Sequence, residues 1–258
     1  MKKFKKVIAV LTITCALCFC ACGANEKAEP VKVKEEISNN TETTEAEKVS
    51  ADDISEYVES SSSQAILDYV SDDKQTVGMY MTFHVNNKRE SDVVSDLLGT
   101  ISLYTEDDKL ISSESVSIST LAPKETGIVS AYFEISREDI ESNPSAVLDI
   151  KSLSSYDVSA LNGFKQSDLT YDNFKTISDG VMNTEVLLDV TNNSEYDVAQ
   201  PNVIIICKKD GKYAGVADSN MVGNIKPGKN TIHIDASHTI LSDCDEYEVF
   251  IDYMDWNK

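Results

Sequence analysis

Apolar and polar positions alternate with a period of two along most of the chain beyond residue 63. Met79, Met81, Phe83 and Val85 alternate with Tyr80, Thr82 and His84, and Val129, Ala131, Phe133 and Ile135 with Ser130, Tyr132 and Glu134. Farther on, Val186, Leu188 and Val190 alternate with Leu187 and Asp189. Ile232 and Ile234 flank His233, and Val249, Ile251 and Tyr253 alternate with Phe250 and Asp252. A period of two over four to eight residues predicts strands with one buried face. On this phase Leu188 points inward, Leu187 is at least partly exposed, and His84 and His233 lie on polar faces. Turn residues punctuate the strands at Asn86-Asn87, Asp107-Asp108, Asn192-Asn193, Asp210-Gly211 and Pro227-Gly228.

The pattern repeats. Val85-Asn86-Asn87 matches Thr191-Asn192-Asn193, and Ser91-Asp92-Val93 matches Tyr196-Asp197-Val198. Ile101-Ser102-Leu103-Tyr104 matches Ile204-Ile205-Ile206-Cys207, and Leu121-Ala122-Pro123-Lys124 matches Ile225-Lys226-Pro227-Gly228. The successive shifts, by subtraction, are 106, 105, 103 and 104 residues. A nearly constant shift marks a duplicated domain. The expected boundaries are 63–160 and 164–258. Each unit offers roughly seven short strands with regular turns, which suggests an immunoglobulin-like sandwich. Tyr247, at the start of the last long strand, is placed either as a tyrosine corner or as an ordinary core residue.

These motifs together resemble the FxLYD-type repeat of bacterial surface lipoproteins. Val85-Asn86-Asn87, Leu103-Tyr104, Asp107 and Pro123 carry the likeness in the first unit. Val190, Asn192-Asn193, Asp210-Gly211, Pro227 and Gly228 carry it in the second. Ile101 stands where that repeat has Phe, and Ile206-Cys207 where it has Leu-Tyr. The resemblance covers the two β-rich units. It implies an immunoglobulin-like sandwich on the cell surface and no known activity.

The N-terminus has a different pattern. Lys2, Lys3, Lys5 and Lys6 precede an apolar run from Val7 to Ala21. That run suits the core of a signal peptide and is short for a bilayer span of about 20 residues. It ends at Phe19-Cys20-Ala21-Cys22-Gly23, which resembles a bacterial lipobox. The reading is a lipoprotein signal peptide over 1–21, with Cys22 as the lipidated residue. Multiple acyl chains on one cysteine are enough for stable anchoring. Residues 22–62 then read as a disordered acidic tether, because they hold too little apolar surface to offset ordering. A short helix over 51–59, capped by Ser50, is the one element expected within it.

The chain carries 23 Lys and Arg against 44 Asp and Glu. Removing residues 1–21, which hold four lysines and no acids, takes the formal net charge from −21 to −25. Nucleic acid and anionic lipid surfaces repel such a chain. The expected partners are the membrane, through the anchor, and another envelope protein or a wall polymer. The expected location is the extracytoplasmic face of the cell membrane.

Motifs for a hydrolase elbow, a zinc protease, a Walker loop and a dinucleotide fold are absent from the sequence. No catalytic residue, cofactor or metal ligand is assigned. The acidic groups Glu106-Asp107-Asp108 and Asp243, Asp245 and Glu246 lack the spacing of a calcium loop and read as solvated turns. Asn39-Asn40-Thr41 and Asn192-Asn193-Ser194 match glycosylation sequons and read as chance. Cys207 and Cys244 either bridge in an oxidising compartment or stay as two thiols. The fold class is therefore all-β: two tandem immunoglobulin-like antiparallel sandwiches after a signal peptide and a disordered acidic tether. The function expected is a lipid-anchored, non-enzymatic binding or interaction module. The alternative is a structural spacer or an accessory subunit of a membrane complex.

Overall fold

A computed structural model describes residues 46–61, 64–71, 75–161, 165–178, 184–219, 222–236 and 244–253. The expected signal peptide, Cys22, the expected tether up to residue 45, His238 and Asp243 lie outside the described residues. The described chain is all-β apart from short helical turns.

The first half runs β1 (Glu47–Lys48), α1 (Ile54–Tyr57), β2 (Val58–Ser60), β3 (Gln64–Val70), β4 (Thr76–Asn87), β5 (Asp92–Tyr104), β6 (Leu110–Leu121), β7 (Thr126–Ser136), α2 (Arg137–Glu141) and β8 (Ser145–Asp157). One sheet has the order β3-β4-β7, with β2 also on β4, and the other β1-β8-β5-β6. The second half runs β9 (Leu169–Ser178), β10 (Thr184–Asn192), β11 (Asn202–Lys209), β12 (Lys212–Ser219), β13 (Gly228–Ala236) and β14 (Glu246–Asp252). Its sheets are β9-β10-β13 and β12-β11-β14. All of these pairings are antiparallel. Both halves thus place strands A, B and E of an immunoglobulin-like sandwich in one sheet and C′, C and F in the other. Six long strands build each half among the described residues, against the roughly seven expected. Among the described residues, the position beyond F is filled only by the two-residue β1 in the first half.

The inner faces follow the alternation. Met79, Met81, Phe83, Val129 and Phe133 meet Leu97, Ile101, Leu103, Ile118 and Leu153 in the first core. Val186, Leu188, Val190, Ile232 and Ile234 meet Val203, Ile205, Cys207 and Ile251 in the second. Leu188 is fully buried and Leu187 half-buried, as the phase predicts. The β11–β12 hairpin turns at Asp210 (φ 50°) and Gly211 (φ 72°), the paired positive-φ turn that Asp-Gly favours.

Two sequence expectations are corrected. The tether does not extend to residue 62. β1 pairs with β8, β2 pairs with β4, and Val49 and Val58 are buried in the first core. The expected helix over 51–59 is a 3-10 turn at Ala51–Asp53 followed by α1, and the chain is already strand at Val58. Lys88 Nζ donates to the Ser55 carbonyl at 2.7 Å, and the Arg89 guanidinium lies 4.7 Å from the Tyr57 ring centroid. A few well-placed apolar residues and these contacts order a segment whose composition looks disordered.

The second correction is register. The equivalent asparagines are Asn87 and Asn192, not Asn86 and Asn192. Both are buried, and each side-chain amide donates to the loop before strand E: Asn87 to the Leu121 and Ala122 carbonyls at 3.0 Å, Asn192 to the Ile225 carbonyl at 3.3 Å. Each Oδ1 also accepts the N–H two residues on, from Arg89 at 2.9 Å and Ser194 at 3.0 Å. Along strand C, the core-facing Ile101 and Leu103 correspond to Ile205 and Cys207, a shift of 104. Matching Ile101 to Ile204 would have turned one strand inside out.

Candidate functional site

The outward faces of the two halves are where the alternation breaks down. β11 reads Val203-Ile204-Ile205-Ile206-Cys207, and all five residues are buried. Such a continuous apolar run belongs to a strand covered on both sides. Its inner face fills the second core, and Ile204 and Ile206 point the other way. With Val216 they pack against Ile66 and Ile128 of the first half, and Tyr80, Tyr213 and Phe250 border the cluster. The β3-β4-β7 sheet of the first sandwich therefore lies against the β12-β11-β14 sheet of the second. Thr82, on that face of β4, is fully buried.

Polar clasps surround this apolar centre. The Asp252 carboxylate accepts the Ser119 N–H at 2.8 Å, the Ser119 hydroxyl at 2.9 Å and the Thr120 N–H at 3.3 Å. It thus engages donors of β6 from the end of β14. Burial pushes the Asp252 carboxyl above the ordinary carboxylate range, and these hydrogen bonds only partly offset that. Glu125 closes the link between the halves: its carboxylate accepts the Ala122 N–H at 2.9 Å and the Gln166 N–H at 2.6 Å. Its carboxyl is also raised, chiefly by burial. The Gln166 side chain in turn accepts the Ile251 N–H at 3.4 Å. At the opposite side His84 approaches Glu248 at 3.4 Å, and Glu248 also pairs with Lys208. The His84 ring stands edge-on to Phe250, with centroids 5.4 Å apart. His84 thus lies on the outward face of β4, as its strand phase predicts, and the second sandwich covers that face. These carboxylates hold backbone and side-chain donors in place, a positioning chemistry.

Cys207, in the second core, is disulfide-bonded to Cys244 with Cα atoms 5.5 Å apart, across a sequence separation of 37. A loop of this length is stabilised by about 3–4 kcal/mol in the chain-entropy account. It ties the end of strand C to the start of strand F. Asn192 of the second sequon is buried and occupied by its hydrogen bonds, so its amide is closed to glycosylation. His233 is exposed and lies 2.6 Å from Glu185. Tyr247 stacks on Phe174 with ring centroids 4.6 Å apart. Glu106, Asp107 and Asp108 are exposed in the β5–β6 turn. Among the described residues, no group of three or more His, Cys, Asp or Glu side chains is placed to hold a metal ion, and no helix is long and apolar enough to cross a membrane.

Sequence reasoning missed the junction, although the unbroken Val-Ile-Ile-Ile-Cys run of β11 signalled it. No family model matches this chain, and no curated protein matches it.

Proposed function

We propose that this chain is a lipid-anchored protein of the bacterial surface that works as a non-enzymatic binding module. Cys22 is the acylated residue, and the tether holds the folded part away from the extracytoplasmic face of the membrane. The lipobox-like Phe19-Cys20-Ala21-Cys22 and the likeness to FxLYD-type surface repeats support the placement. The observation that carries the binding reading is the buried face between the sandwiches. Ile66 and Ile128 against Ile204 and Ile206 join them into one body. Such a body presents sheet edges and the outward face of β5 and β6, with Ser102, Ser113 and Ser115, in fixed relative positions, a preorganisation that lowers the cost of binding a partner. The same clasps at Asp252 and Glu125 favour the second reading, a stiff spacer or accessory subunit of a membrane complex.

Two measurements test this. Membrane fractionation with mass analysis of the N-terminus should find acylated Cys22, and Cys22→Ala should be released or left unprocessed. A normally acylated Cys22→Ala protein would overturn the anchor. Crosslinking in intact cells should capture a defined envelope protein or wall polymer. A spacer would give only diffuse, low-yield neighbours.

A further inference from the structure

We propose that two copies of this chain pair edge to edge through β8, antiparallel about a two-fold axis, with Leu148 of one copy opposite Leu148 of the other. β8 covers Ser145–Asp157, and β5 pairs along one of its edges. On its other edge β1 takes only Ser154 and Ser155, and the Val49 N–H reaches the Leu153 carbonyl at 3.0 Å. Residues 145–151 have no strand on that side among the described residues. The inward side chains there, Ala146, Leu148 and Ile150, are only partly buried although they pack on the first core. Among the described residues, the hydrophobic seam of the sandwich is therefore open along this edge.

The backbone is oriented to accept a strand. A Cβ on Gly99 would lie 3.1 Å from the Asp149 carbonyl oxygen, so Asp149 directs its C=O toward β5. In an antiparallel ladder successive residues face opposite ways. Ala146, Leu148 and Ile150 thus turn both their N–H and C=O outward. Exposed edges of this kind are templates for strand addition.

The sequence of the edge selects its occupant. For self-pairing, outward residues must meet outward residues, which leaves four central registers. Pairing Ala146 with Leu148 sets Pro144, which has no N–H to offer, opposite the outward Ile150 and so loses a ladder bond. Pairing Leu148 with Ile150 sets Asp149 against Asp149 of the other copy, and like charges directly opposite are destabilising. Pairing Ile150 with itself slides the strands toward Leu153, where β1 blocks further contact. Pairing Leu148 with itself uses the whole open span, sets Ala146 opposite Ile150 and Val147 opposite Asp149, and brings Ser145 opposite Lys151. Pro144, which has no N–H to offer, then falls opposite Ser152, just before β1 takes over. The open span is centred on Leu148, so a two-fold axis there pairs the span along its full length. Val147, half-exposed at 50%, gains a neighbour in the process. The corresponding edge of β14 is less suited, because Gln166 already accepts from Ile251 and Glu246 and Glu248 crowd the strand.

The test is oxidative crosslinking of the full-length protein in intact cells, read on non-reducing gels. Opposed residues in an antiparallel pair have Cα atoms about 5.5 Å apart where hydrogen-bonded, as at Leu148, and about 4.5 Å apart where not, both within disulfide reach. Leu148→Cys should form a covalent dimer. Co-expressed Val147→Cys and Asp149→Cys chains, which differ from each other in tag and lie in the stretch of β8 before its bulge at Lys151, should form the mixed dimer, and neither should crosslink with itself. Because both of these side chains are on the exposed face, this pair reports on register even if Leu148→Cys loosens the core. Glu106→Cys, in the β5–β6 turn, should remain monomeric. The proposal is overturned if the mixed dimer fails to form, or if Glu106→Cys crosslinks as fully as the edge variants.

Discussion

The outward C′-C-F faces of the two sandwiches occupy the same place in the same fold and have opposite chemistry. In the second sandwich Ile204, Ile206 and Val216 look outward and are buried against the first. In the first sandwich the matching strand C positions are Thr100 and Ser102, flanked by Ser113 and Ser115 of β6 and by Val147 and Asp149 of β8. Ser113, Ser115, Val147 and Asp149 are exposed. The two halves share one framework, and the outward residues decide which copy docks. An A-B-E face meeting a C′-C-F face is head-to-tail, a geometry that can in principle extend without limit. The free C′-C-F face has no counterpart of the buried isoleucines: Thr100, Ser102, Ser113 and Ser115 lie there beside the exposed Leu98 and Val147. The free A-B-E face is mixed, with Lys175, Asp189, Thr231 and His233 outward beside Leu187 and the exposed Ile177.

Substitutions at matched positions should separate these faces. Ile206 is fully buried, and Ile206→Ala should cost about 2–5 kcal/mol. Ser102→Ala, its counterpart, should stay within about 0.5 kcal/mol. Denaturant unfolding of both variants measures the contrast, and equal losses would mean that the two faces are covered alike.

The shared polar feature should behave in the opposite way. Asn87 and Asn192 hold equivalent loops in the two sandwiches through buried side-chain bonds. Asn87→Ala and Asn192→Ala should each cost about 1–3 kcal/mol by leaving buried backbone groups unpaired. Thermal melts should show similar losses. A large loss at only one site would show that the repeats have diverged in this bond as well as in their faces.

A smaller effect sharpens the account of the junction itself. The folded chain holds the Asp252 proton to a higher pH than the unfolded chain does. The stability this group contributes is therefore full below the unfolded carboxyl value of about 4. It is lost as pH rises through the raised folded value. The melting midpoint of the unaltered protein, minus that of Asp252→Asn, should fall as pH rises from 4. A gap that widens with pH would indicate a depressed carboxyl and a clasp dominated by hydrogen bonding.

Much of the fold was legible in the sequence because each sandwich buries one face of each strand. The inward phase of Met79 to Val85 and of Val186 to Val190 is the phase observed. The repeat was legible, but its register slipped by one residue at two places. Three consecutive isoleucines at 204–206 offer no polar residue to mark which of them faces the core. The junction escaped notice because its first-half contributors, Ile66 and Ile128, are single apolar residues on otherwise polar faces. The buried carboxylates escaped for a related reason: Glu125 and Asp252 look like ordinary surface acids until tertiary packing removes them from water. Residues 46–61 were read as tether because composition averages over a segment. Val49 and Val58 anchor it one residue at a time.

The central claim is that the two sandwiches form one body through the Ile66, Ile128, Ile204 and Ile206 face. Differential scanning calorimetry of the full chain in detergent micelles tests it most directly. One cooperative transition is expected for the unaltered protein. Ile206→Asp, which places an unpaired charge in that face, should split it into two transitions or lower it as a whole. Two independent transitions in the unaltered chain, only one of which moves in Ile206→Asp, would contradict the account.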